Sequence, residues 1–132
     1  MPALFEHANI TVSDPRATAA WMNRIFGWNL RWEGDAMSGG HTKHVGTDTH
    51  YIALYTPGTN ISSKADSYHA TGGLNHLAVV VDDLDHTEAL VKAEGFSTGS
   101  HADYEPGRRF YFHDNDNIEF EVVQYDLSLI HI

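Results

Sequence analysis

Two short stretches decide how this chain is read: HANITVSDP, His7 to Pro15, and HLAVVVDDL, His76 to Leu84. Set one above the other, His7 meets His76 and Asp14 meets Asp83, both at an offset of 69 residues. In each, the histidine opens a run rich in apolar and β-branched residues, which predicts a strand. Each aspartate then stands where a carboxylate can cap the free N–H groups of a following helix. Self-similarity at this spacing means two copies of one supersecondary unit.

Working outward, Asp14 is followed by PRATAAWMNRIFGW, with Pro15 in the first turn, Ala20, Trp21 and Ile25 at helical spacing and Gly27 as a stop. Asp83 is followed by LDHTEALVKAEGF, with Leu84, Ala89, Leu90 and Ala93 in like positions and Gly95 as the stop. Three candidate strands come next in each half: NLRWEG, TKHVGT and HYIALYTP in the first, FSTGSHADY, RRFYFHD and IEFEVVQY in the second. The order βαβββ therefore occurs twice. It predicts an α+β domain over residues 1–132, with module one at about 4–57, a Gly/Ser/Thr-rich linker at 58–73, module two at about 74–125 and a tail at 126–132.

The totals narrow the partners. Eight Lys and Arg against 18 Asp and Glu give a formal charge of −10, which argues against nucleic acid and against anionic membrane surfaces. No apolar run approaches the ~20 residues that span a bilayer. The absence of cysteine rules out disulfides and thiolate metal sites. Together with an N-terminus that lacks a basic and apolar leader pattern, it points to the cytoplasm. Ten histidines are the compositional oddity, since histidine is the commonest metal ligand.

FYFHDNDNIEFEVVQY, Phe110 to Tyr125, reads as strand, tight polar turn and strand. Glu119 and Glu121 flank Phe120 and so share one face of the second strand. Together with His7 and His76 at repeat positions, a strand carboxylate makes an N/O donor set suited to a divalent first-row metal with open positions left for substrate, water or dioxygen.

The repeated βαβββ pattern, the two histidines and the HDNDNIEFE turn resemble the vicinal oxygen chelate superfamily. That family includes glyoxalase I, extradiol ring-cleaving dioxygenases, fosfomycin-modifying enzymes and bleomycin-resistance proteins. The likeness runs from about Leu4 to Tyr125. It implies a curved mixed sheet around a central cavity, a homodimer, and metal ligands on the first and last strands of each module. Those four positions here are His7, Ala53, His76 and Glu121. Asn115 and Asn117 replace the Pro and Gly common in the family's turn, and asparagine tolerates the left-handed geometry needed there.

Ala53 decides among the branches. Glyoxalase I places a carboxylate at that position, and a methyl group neither binds a metal nor accepts a proton. The resemblance therefore favours an extradiol-dioxygenase-like site with His7, His76 and Glu121 holding Fe(II) or Mn(II), with Zn(II) and Ni(II) also compatible. The substrate it implies is a small molecule offering two adjacent oxygens. By the same resemblance Tyr111 hydrogen-bonds a substrate oxygen, His69 is an acid/base group and His101 lines the pocket.

Three further readings stay open. A glyoxalase/lyase-like enzyme needs Glu119, a tyrosine or a loop histidine to stand in for the base missing at Ala53. A fosfomycin-type thiol transferase uses the same ligands but needs cations for a phosphonate, and at most one of Arg108 and Arg109 can face the pocket. A metal-free binding module would instead rely on aromatic walls drawn from Trp21, Trp28, Trp32, Tyr51 and Tyr55. Retention of all three metal ligands argues for catalysis.

Overall fold

Both helices begin where the two aspartates place them. The computed structural model describes residues 1–63 and 66–126, so most of the expected tail lies outside the described residues. Asp14 is extended (φ −144°) and its carboxylate accepts the backbone N–H groups of Arg16 and Ala17, capping α1 (Pro15–Phe26). Asp83 accepts the N–H of His86 and caps α2 (Leu84–Ala93). Gly27 ends α1 in the left-handed region at φ 72°, a conformation glycine adopts without steric cost.

Around the helices lie β1 (His7–Thr11), β2 (Asn29–Ala36), β3 (Gly40–Gly46) and β4 (Tyr51–Thr56), then β5 (Leu77–Val80), β6 (Thr98–Tyr104), β7 (Gly107–His113) and β8 (Glu119–Tyr125). They form two four-stranded mixed sheets in the orders β1-β4-β3-β2 and β5-β8-β7-β6. In each, the first and last strands pair in parallel and the other pairs are antiparallel. The βαβββ order read from the sequence is thus present twice. The chain divides into two compact units, the first being Met1–Ser63, with the boundary inside the stretch read as linker.

One face of each sheet is covered by its helix. In the first unit α1 sinks Trp21, Met22 and Ile25 onto a sheet face that buries Val45, Ile52 and Leu54. In the second, Leu84 and Val91 of α2 lie over Phe110, Phe112, Phe120 and Val122. Each such side chain removed from water contributes on the order of 1.5–3 kcal/mol. The opposite faces carry the polar residues, because the alternation that turns Phe110 and Phe112 inward turns Arg109, Tyr111 and His113 the other way.

The turn between β7 and β8 fixes which residues meet. The buried Asp114 accepts the N–H groups of Asp116 and Ile118 on Oδ1, and Asn117 takes φ 59°, the left-handed geometry expected of it. Burial pushes the Asp114 carboxyl up, against the pull of those N–H donors. The resulting register sets Tyr111 opposite Glu121 and His113 opposite Glu119.

Candidate metal centre

In the second unit, His76 stands one residue before β5 and Glu121 lies in the middle of β8. His76 Nε2 is 3.1 Å from Glu121 Oε1. Glu121 is only 8% exposed, and its other oxygen, Oε2, accepts a 2.9 Å hydrogen bond from Arg109 Nη1. A carboxylate taken this far from water requires such a partner. Arg109 is held in turn with its guanidinium carbon 4.4 Å from the Tyr104 ring centre.

The other nitrogen of His76 is also engaged. Tyr68 Oη lies 3.3 Å from Nδ1 and donates to Glu119 Oε1, and that carboxylate pushes the phenol up to about 12. Glu119 therefore neighbours the pair without entering it, its Oε1 being 3.9 Å from His76 Nδ1. The Tyr111 ring packs edge-on to His76 at 5.5 Å between centroids. Burial, followed by the Glu121 charge, raises its phenol, so Tyr111 stays protonated and able to donate near neutral pH.

His7 opens β1 in the first unit. Its Nδ1 is 2.9 Å from Glu6 Oε1, and its ring stacks on Tyr51 at 4.7 Å and 9°. Tyr51 Oη donates to the same Glu6 oxygen at 3.4 Å. His44 stacks on Tyr51 at 4.6 Å, and Arg31 lies over that ring with its guanidinium carbon 4.6 Å from the centre. Partial burial, then the His7 and Arg31 charges, push the His44 imidazole down. Ala53 is buried, at the β4 position that matches Glu121 on β8: Ala53 pairs with Asn9 of β1 as Glu121 pairs with Ala78 of β5.

The His76 and Glu121 donors are spaced as two ligands of one divalent ion would be. Two donors about 2.1 Å from a first-row metal at a right angle are about 3.0 Å apart, close to the separation of His76 Nε2 and Glu121 Oε1. All three expected ligands, moreover, have one donor atom tied to an outer partner: His7 Nδ1 to Glu6, His76 Nδ1 to Tyr68 and Glu121 Oε2 to Arg109. Such partners fix a ligand's orientation and leave its second atom for the metal. Among the described residues no group of three or more His, Cys, Asp or Glu side chains forms a complete site. His76 and Glu121 are together in one unit, and His7 belongs to the other.

Two residues expected at the site lie elsewhere. His69 is exposed and pairs with Asp66 through Nδ1 at 2.6 Å, within a surface turn. The residue of that segment that reaches His76 is Tyr68. His101 pairs with Glu88 of α2 at 2.6 Å and tilts against Phe110, which places it on the helix-covered face, away from Tyr111 and Glu121. The cause is a bulge in β6, where the register with β7 shifts between Gly99 and Ala102 and Ser100 takes φ 51°.

Tyr68, Glu6, His44 and Arg31 were missed in the sequence, as was the pairing of Arg109 with Glu121. Arg109 was within reach, since period-two alternation puts it on the Tyr111 face once the β7–β8 turn fixes the register. Arg108 does point the other way, to Asp85 of α2 at 3.3 Å. Nothing local marks Tyr68, which meets His76 and Glu119 only through tertiary folding.

Comparison with known proteins gives one consistent result. The sequence profile of the Glyoxalase/Bleomycin resistance protein/Dioxygenase superfamily matches residues 4–122. A glyoxylase/bleomycin resistance protein/dioxygenase domain from Frankia sp. EAN1pec superposes with a TM-score of 0.78 at 21% identity, covering 95% of this chain and 93% of that one. The fosfomycin resistance protein FosX from Listeria monocytogenes, complexed with Mn(II) and a sulfate ion, gives 0.70 at 20% identity over 98% of each chain. A glyoxalase family protein from Enterococcus faecalis gives 0.68 at 18% identity, over 89% and 92%. No curated protein sequence matches the chain.

Proposed function

The chain belongs to the Glyoxalase/Bleomycin resistance protein/Dioxygenase superfamily, and from that premise we propose that it is a metal-dependent enzyme acting on a small molecule through two adjacent oxygens. His7, His76 and Glu121 hold the metal, Fe(II) or Mn(II) before Zn(II) or Ni(II), in an extradiol-dioxygenase-like set. The observation that carries this reading is the 3.1 Å approach of His76 Nε2 to Glu121 Oε1, with the far atom of each ligand already taken by an outer partner. Bound there, the metal would supply Lewis-acid activation of the chelated oxygens.

The protein's own groups do the rest. Tyr111 keeps its proton and donates to a substrate oxygen beside Glu121. Arg109 holds Glu121 in place, and Tyr68 with Glu119 orients the His76 ring. The thiol-transferase alternative needs free cations for a phosphonate, and in the second unit Arg108 is paired with Asp85 and Arg109 with Glu121. A glyoxalase-like lyase lacks its carboxylate at Ala53. The two modules make one vicinal oxygen chelate domain, which we propose to be a cytoplasmic homodimer. Among the described residues no helix is long and apolar enough to cross a membrane.

Metal content after purification without chelator, with thermal melts on adding Fe(II), Mn(II), Zn(II) or Ni(II), tests the centre, since a bound ion stabilises the fold by mass action. The parent chain should show a metal-dependent rise in Tm that His76→Ala and Glu121→Gln abolish and Glu119→Gln largely keeps. A parent with neither bound metal nor any shift would refute the enzyme reading. An anaerobic catechol screen with Fe(II), then oxygen, tests the branch through a yellow ring-cleavage product.

A further inference from the structure

The chain carries a net charge of −10, yet among the described residues no carboxylate pairs with Arg31. Its position is built by the backbone. The register between β2 and β3 shifts between Leu30 and Trp32, so Arg31 is the extra residue of a bulge. A bulge re-aims side chains that would otherwise alternate. Arg31 thereby reaches over Tyr51 while its neighbour Trp32 leans on His44, 5.1 Å between ring centres. Trp32 remains 53% exposed. Tyr51 is the ring on which His7 stacks, so a single side chain separates the guanidinium from the proposed metal ligand.

We propose that this face of the first unit binds a small aromatic monocarboxylate. A guanidinium held over an aromatic ring has already given up much of its freedom, so it loses little more when it offers its N–H fork to a planar carboxylate. The half-exposed indole beside it supplies a flat apolar wall for the ligand's own ring. One cation matches one negative charge, which disfavours a phosphonate or phosphate dianion. Resting on the metal reading above, the site also narrows the substrate to an aromatic acid bearing adjacent oxygens, its carboxylate on Arg31 and its oxygens toward His7.

The test titrates the chelator-treated full chain with benzoate and with benzyl alcohol, followed by tryptophan fluorescence. Benzoate should saturate and perturb the emission, and benzyl alcohol should bind at least about tenfold more weakly, as expected when a charge-assisted hydrogen bond is lost. Arg31→Gln should weaken benzoate by a similar factor without changing benzyl alcohol, and Arg31→Lys should fall between. Arg24→Gln, on α1, is the charge-matched control and should bind as the parent does. Equal affinity for the two probes, or undiminished benzoate binding by Arg31→Gln, would overturn the proposal, as would no binding by the parent. Metal-induced stabilisation is read separately. Benzoate binding by a chain that takes up no metal leaves this site standing and removes the metal reading alone. A metal shift without benzoate binding does the reverse.

Discussion

The two units are built on one backbone plan and filled with different chemistry. His7 and His76 open equivalent strands, yet Tyr51 stands where the second unit has Glu119, Ala53 where it has Glu121, and His44 where it has Tyr111. The first unit gathers rings and a cation around Tyr51; the second gathers carboxylates around His76. Their bulges differ too. The bulge in β2 precedes Trp32 and turns Arg31 onto the His7 face, whereas the bulge in β6 follows the equivalent Gly99 and sends His101 to the helix face. A duplicated fold thus fixes strand positions, while single substitutions and one-residue shifts decide what each position does.

The comparison breaks most sharply at Glu121. Glu121→Ala leaves Arg109 buried without its partner and should cost about 3–5 kcal/mol in urea unfolding. Arg109→Met combined with Glu121→Leu should recover most of that loss while still binding no metal. If Glu121→Ala unfolds at the parent's urea concentration, the buried pair is not what holds this face together.

Making the units alike is the next largest perturbation. Ala53→Glu gives the first unit the carboxyl it lacks and buries it without a partner, so that without metal it takes up a proton and should cost about 1–3 kcal/mol. Added Mn(II) or Ni(II) should then raise the variant's Tm by more than the parent's. An equal or smaller metal shift would show that position 53 does not face the metal.

The outer partners should have smaller effects. Tyr68→Phe and Glu6→Ala each free one imidazole nitrogen and should weaken metal binding about 10-fold or more, read by competition with a chromophoric chelator. His69→Ala should leave affinity unchanged, since its ring is committed to Asp66. The smallest effect belongs to the caps. Asp14→Ala and Asp83→Ala should each cost about 1 kcal/mol in urea melts, with Asp14 the more costly because it accepts two N–H groups and Asp83 one.

Much of this was legible in order along the chain because it rests on local rules. Asp14 and Asp83 cap, Gly27 stops, and apolar alternation lays out the strands, each set by residues within a few positions of one another. That Glu119 and Glu121 share one face was legible as well, from period two, whereas the choice of Glu121 as ligand rests on the resemblance of the HDNDNIEFE turn. His69 and His101 illustrate where such rules end. The first depends on how a surface turn folds back, with Tyr68 nearer to His76, and the second on a bulge that no residue pattern announces.

By itself the sequence determined the repeat, the βαβββ order and the candidate ligands, because periodicity and capping act over a few residues. Only the tertiary structure decided that Arg109 neutralises Glu121, that Tyr68 holds His76 and that Arg31 lies over Tyr51. Those contacts join residues 12, 8 and 20 positions apart, across strand registers set by a turn and by bulges. Their energetics depend on burial, a property of the folded chain and not of any stretch of it.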